Sequence, residues 1–278
     1  MDTPKTNRTL SFAYKRRIGK PVQKLLTHPL ITAAAGAYMN TAASVKRIEP
    51  FAEKNSIDLS EYQKEDYRCF NDFFTRRIKP ERRPVDMEPG CLISPCDGYL
   101  SVYRISCDSV FTIKDSEYNI FDLVGGSPIA SQYINGLALV LRLGVENYHR
   151  YCYIDNGMKS RNYHINGRYH TVQPIAVRKH PVFVQNTREY TVMHTENFGD
   201  VTQIEVGACL VGRIKNHDEA CKVTRGREKG YFMFGGSTIV LLFKEDTITL
   251  PGTVFSANAK GEEIPVLYGQ RIGRAIGK

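Results

Sequence analysis

Tryptophan is absent from the 278 residues, so 16 Tyr and 13 Phe must supply the large core side chains. The seven cysteines are odd in number, and no two stand at CxxC spacing. That argues against a disulfide framework and against a structural zinc site, and the expectation is free thiols in a reducing compartment with no metal. Phosphate-cradling GxGxxG and GxxxxGK[ST] loops are missing, as is any internal repeat. No dense apolar run follows the first basic residues, which argues against a secretory signal peptide. What is present is ordinary for a globular protein: 42% hydrophobic and 24% charged residues. A chain of this length buries enough surface to fold without a covalent or metal staple.

Acidic residues are the most informative gap. Residues 3–48 hold nine Lys and Arg and no Asp or Glu, and this segment supplies most of the net charge of +9. Leu10, Phe12, Ile18, Val22, Leu25 and Leu26 are interleaved with the bases. Such a segment is drawn to an anionic surface, either an acidic membrane leaflet or nucleic acid, or it is a solvated helical face with no partner. Leu25–Val45 lacks charged residues but includes His28, Pro29, Asn40 and several Thr. A helix lying in the membrane interface fits better than one crossing it. No groove-reading or RNA-binding motif accompanies the bases, which argues against nucleic acid.

The pattern changes near residue 85. Residues 10–80 read as mainly helical, with Asp58 as an N-cap for a short helix at 59–66, and the Pro80–Pro84 run ends this style. Beyond it, apolar and β-branched runs predict strands at 99–105, 137–143, 151–154, 172–177, 189–194, 202–206, 208–214 and 238–243, separated by Asn-Gly and Asp-Gly turns. The expectation is an α+β fold: a basic helical region over 1–84, associating with a membrane, on a mainly antiparallel β catalytic domain over 85–278.

Three places join reactive side chains to tight turns. Asp97 precedes Gly98 in Ser94-Pro95-Cys96-Asp97-Gly98, where an acid is either catalytic or merely a turn residue. His149 lies in Tyr148-His149-Arg150-Tyr151-Cys152, as an acid/base group or a packed histidine. Gly235-Gly236-Ser237-Thr238 leads into Ile239–Phe243, as an unusual backbone site or a plain bend into a strand.

Taken together, these stretches resemble one family, the phosphatidylserine decarboxylases. Phe70-Asn71-Asp72-Phe73-Phe74-Thr75-Arg76-Arg77, with Lys79-Pro80 and Arg83-Pro84, is similar to their N-terminal signature. Ser94–Gly98 resembles their Ser-Pro-x-Asp-Gly loop, Tyr148–Arg150 their Tyr-His-Arg motif, and Gly236-Ser237-Thr238 the Gly-Ser-Thr at which they cleave themselves. The resemblance implies cleavage between Gly236 and Ser237, giving chains 1–236 and 237–278 that stay together. Ser237 then becomes a covalent pyruvoyl group, the cofactor that accepts electrons when CO₂ leaves the serine head group. It implies Asp97, His149 and Ser237 as catalytic residues. It also implies phosphatidylserine in an anionic membrane as substrate, phosphatidylethanolamine as product, and a cytoplasmic protein peripheral on the cell membrane. A homodimer is compatible with the sequence. One departure stands out: relatives carry a second His three residues after the first, and here that position is Cys152. The base for processing is then His149, or Cys152 as a thiolate. The other readings are a family member acting on a different amino-acid carboxylate, and an unprocessed, non-catalytic lipid-binding protein.

Overall fold

The computed structural model describes residues 34, 36–63, 66–113, 116–167, 182–207, 213–235 and 237–277. The acid-free segment up to residue 33, the strand expected at 172–177 and most of that expected at 208–214 lie outside the described residues.

Seven strands position the site: β1 (Gly98–Arg104), β2 (Leu137–Leu143), β3 (Arg150–Cys152), β4 (Arg188–Thr195), β5 (Gly199–Gly207), β6 (Glu228–Phe232) and β7 (Ser237–Phe243). The main sheet has nine strands. Its central order is β4-β5-β7-β2-β1, with Gly157–Lys159 and then Cys221–Val223 beyond β4, Tyr163–Ile165 also paired with β4, and Ile264–Val266 beyond β1. Every pairing in it is antiparallel. The mainly antiparallel β architecture expected from the sequence is therefore observed.

β7 lies deep inside this sheet, and all seven of its residues are buried. Its side chains alternate between two cores, as a strand period of two requires. Ile239, Leu241 and Phe243 join Leu139, Leu141 and Leu143 on one face. Val240 and Leu242 join Ala138, Val140, Ile204 and Val206 on the other. The first face is covered by two three-stranded sheets, one containing β3 and β6, the other Cys91–Ile93 and Arg271–Ala275. The second is covered by residues of the 105–134 segment, including Phe111, Tyr118, Leu123 and Tyr133. Burial on both faces explains why β7 reads as an unbroken apolar run.

The helical style expected before residue 85 is present but shorter. Ala42–Arg47 and Leu59–Glu61 are 3-10 turns, and Ile48–Lys54 and Phe70–Phe74 are α-helical. Asp58 does cap its turn, accepting from the Ser60 N–H at 2.9 Å. The helix expected to run on to residue 66 stops at Glu61, because Tyr62 turns extended and bridges to Ile78.

Candidate active site

Ser237 opens β7 and is fully buried. Its backbone is fixed by register on both sides, opposite Gly207 of β5 and Leu143 of β2. Just upstream, Gly235 has φ +147°, a conformation that L side chains rarely adopt. Gly236 lies outside the described residues.

His149 immediately precedes β3, and its carbonyl accepts from the Phe232 N–H of β6 at 2.9 Å. That bond fixes the backbone, and the ring then makes two hydrogen bonds. Nε2 lies 2.8 Å from the Gly144 carbonyl oxygen, and Nδ1 lies 3.2 Å from Ser237 Oγ. A carbonyl can only accept, so Nε2 carries the hydrogen and Nδ1 presents its lone pair to the serine hydroxyl. The ring is fully buried and packs on Phe74, with centroids 4.2 Å apart. Burial, and then the nearby Arg76 charge, lower the His149 pKa to about 3, against a smaller opposing effect of the Gly144 carbonyl. The resting imidazole is therefore neutral at physiological pH, with its Nδ1 lone pair facing the serine hydroxyl.

Arg76 is itself buried. Its Nη2 donates to the carbonyls of Glu146 and Asn147 and to the Tyr62 hydroxyl, and its guanidinium lies over the Tyr62 and Phe73 rings. The chain before the serine is held by a different group. Phe234 N–H donates to Asn71 Oδ1 at 3.1 Å, while Asn71 Nδ2 donates to Asn40 Oδ1 at 3.0 Å. The Phe234 ring stands edge-on to Phe70 and Phe74, at centroid distances of 4.9 and 5.2 Å. The helix supplying these groups has only five residues. It begins with Cys69 as N-cap and buries Phe70, Asn71, Phe73 and Phe74, so packing rather than intrinsic propensity maintains it.

The other two expected site residues have partners other than the Ser237–His149 pair. Asp97 is buried, but both carboxylate oxygens accept from Arg83, at 2.8 and 2.6 Å, and Oδ1 also accepts from the Tyr268 N–H. Both ring nitrogens of His149 have other partners, so Asp97 does not orient that ring. The glycine after it has a packing reason: a Cβ on Gly98 would meet the Arg142 carbonyl oxygen of β2 at 2.7 Å. Cys152 is fully buried at the end of β3, with its thiol against the Tyr268 hydroxyl. Burial pushes the thiol up to about 12, so the thiolate expected as a second candidate base is not populated near neutral pH. Among the described residues no cluster of His, Cys, Asp and Glu is arranged to hold a metal ion. Asn71, Arg76 and the Gly144 carbonyl have parts in the site that the sequence reading did not assign. The first two lie inside the Phe70–Arg77 signature, the only signal that could have found them.

Comparison with known proteins places this geometry in context. Residues 70–274 match the family model described as phosphatidylserine decarboxylase. A phosphatidylserine decarboxylase proenzyme 2 from Clostridium acetobutylicum is 45% identical over 96% of this chain and 92% of its own length. Phosphatidylserine decarboxylase proenzymes from Clostridium botulinum (Langeland strain) and Clostridium beijerinckii are 41% and 36% identical over 95% and 96% of the chain, each covered over 92% of its length. The match spans the aromatic signature, the buried Ser–His pair and the sheet that carries the serine, and by it the chain belongs to the phosphatidylserine decarboxylase family.

Proposed function

We propose that this protein is a phosphatidylserine decarboxylase that makes its own pyruvoyl group from Ser237 and yields phosphatidylethanolamine. The observation that carries the reading is the contact between Ser237 Oγ and a neutral His149 whose acceptor nitrogen faces it. In the self-cleavage step, Ser237 Oγ gives its proton to His149 Nδ1 as it adds to the carbonyl carbon of Gly236. The Gly236–Ser237 C–N bond breaks, the nitrogen takes a proton, and an ester remains. Loss of the Ser237 Cα proton with cleavage of its Cβ–O bond then frees the Gly236 carboxylate, and one water hydrolyses the resulting enamine, through its imine, to ammonia and a ketone at position 237. The residues present suit such a group: a fully buried serine opening a strand, an imidazole lone pair on its hydroxyl and, upstream, a glycine at φ +147°. The pyruvoyl ketone supplies an electron sink when CO₂ leaves the head group. His149 is the group placed to move a proton at that centre.

The acid-free N-terminal segment is assigned to the anionic membrane in which the lipid substrate resides, making the protein peripheral on the cytoplasmic face of the cell membrane. Among the described residues no helix is long and apolar enough to cross a membrane. Intact mass of the purified protein tests the reading. Cleavage before Ser237 releases a fragment of 42 of the 278 residues, about one-seventh of the 31.5 kDa mass. A single uncleaved species with full decarboxylase activity would overturn it.

A further inference from the structure

A buried guanidinium with no carboxylate on it lies close to the Ser237–His149 pair. Arg76 spends its Nη hydrogens on oxygens of uncharged groups: the carbonyls of Phe73, Glu146 and Asn147, and the Tyr62 hydroxyl. Its Nε has no hydrogen-bond partner among the described residues. Keeping a cation buried without a counter-charge is costly, offset here only in part by these neutral acceptors and the two aromatic rings.

The contacts lead from Arg76 to the reacting serine without a break. Glu146 and Asn147 close a turn in which the Asn147 N–H donates to the Gly144 carbonyl at 3.2 Å. Asn147 Oδ1 in turn accepts from the Gly144 N–H at 2.7 Å. The Gly144 carbonyl accepts from His149 Nε2, and His149 Nδ1 faces Ser237. We infer that Arg76 is a positioning residue for self-cleavage: its Nη2, donating to the Glu146 and Asn147 carbonyls, fixes the Gly144–Asn147 turn, and that turn fixes which ring nitrogen of His149 meets the serine. The inference rests on the processing role given to His149 above.

The guanidinium has a second effect on the same ring. Its positive charge opposes protonation of the imidazole. Of the other charged groups of the elements around the ring, Asp97 pairs with Arg83 and Arg150 with Glu228, while Glu146 accepts from the Tyr99 hydroxyl. Among the described residues, Arg76 is the charged side chain whose field bears on the ring.

The test separates this role from mere structural support. In a Ser237→Ala precursor labelled with ¹⁵N at histidine, imidazole shifts report the tautomer and the protonation midpoint of His149 whether or not the chain cleaves. The parent is expected to show hydrogen on Nε2 and a midpoint far below that of free histidine. Adding Arg76→Gln is expected to mix the tautomers and raise the midpoint. Adding Arg76→Lys keeps a charge but loses the planar group whose Nη2 reaches both carbonyls, so the tautomers mix while the midpoint stays low. Asn147→Ala, which leaves the guanidinium in place, should do the same and serves if Arg76→Gln fails to fold. With Ser237 restored, Arg76→Gln should slow fragment formation roughly 10- to 100-fold. An unchanged tautomer in both Arg76→Gln and Asn147→Ala overturns the inference. A wild-type chain that never cleaves overturns the processing role instead, and the tautomer measurement still decides the part played by Arg76.

Discussion

The N–H of Phe234 donates to the side-chain oxygen of Asn71, 163 positions earlier in the chain. The bond ties the residues before the reactive serine to a five-residue helix far away in sequence, and three Phe rings pack around the same point. Asn71→Ala leaves that N–H without its acceptor, a cost of about 1–3 kcal/mol if it stays buried. The expected outcome is a lower Tm together with slower fragment formation at temperatures where the variant is fully folded. Cleavage at the wild-type rate would show that the tether has no part in maturation.

Ser237→Ala removes one buried hydroxyl whose hydrogen bond is to His149. The Ala methyl fits the space, so the variant should fold as a single chain with a Tm within a few degrees of wild type. It should have no decarboxylase activity, because no ketone can form at position 237. Activity in a variant shown by mass to be intact would remove the serine from the mechanism.

Cys152 and His149 are expected to behave oppositely. The thiol is buried and pushed up to about 12, so Cys152→Ala and Cys152→Ser should both cleave at the wild-type rate. His149→Ala should stall. Time courses of fragment appearance for the three variants decide the matter. Normal cleavage in His149→Ala beside a stalled Cys152→Ala would assign the processing step to the cysteine.

Acid should destabilise the fold through His149. Its folded pKa is about 3 against an ordinary 6.5, so between these values the unfolded chain binds a proton that the folded chain excludes. The stability present above pH 6.5 is then lost as pH falls from there through about 3. His149→Gln should have a shallower fall of Tm over this window, measured against wild type in the same buffers. Parallel curves would mean that the ring is not kept neutral by its surroundings.

The basic N-terminal segment should bind membranes in part by charge. Deleting residues 1–28 is expected to weaken co-sedimentation with anionic vesicles, and added salt should weaken binding of the full chain. Equal binding to neutral and anionic vesicles at all salt concentrations would exclude the electrostatic account.

Much of the sheet was legible because its strands are apolar runs set off by turn residues. Leu137–Leu143 matched the expected bounds, and the runs expected at 202–206 and 238–243 lie within β5 and β7. Ser237 and His149 were legible as motifs, but their contact was not, since it joins residues 88 apart. Asp97 was legible as a motif residue, but its partners, Arg83 and the Tyr268 N–H, were not, because they come from outside the motif. Asn71 and Arg76 sat unassigned in a signature because their partners, Phe234 and the Glu146–Asn147 carbonyls, come from distant parts of the chain.

The interior position of β7 bears on what a cut before Ser237 can do. The severed strand would still be laced to neighbours along both edges, and the strands after it, Ile264–Val266 and Arg271–Ala275, pair with β1 and Cys91–Ile93. A scission there would create two new chain ends on a strand still paired along both edges. The small piece could leave only when the whole sheet opens, so its exchange between molecules would be as slow as global unfolding. Molecules broken at this point would thus keep their original partner for life, and a fragment made elsewhere could not readily be threaded in to replace it.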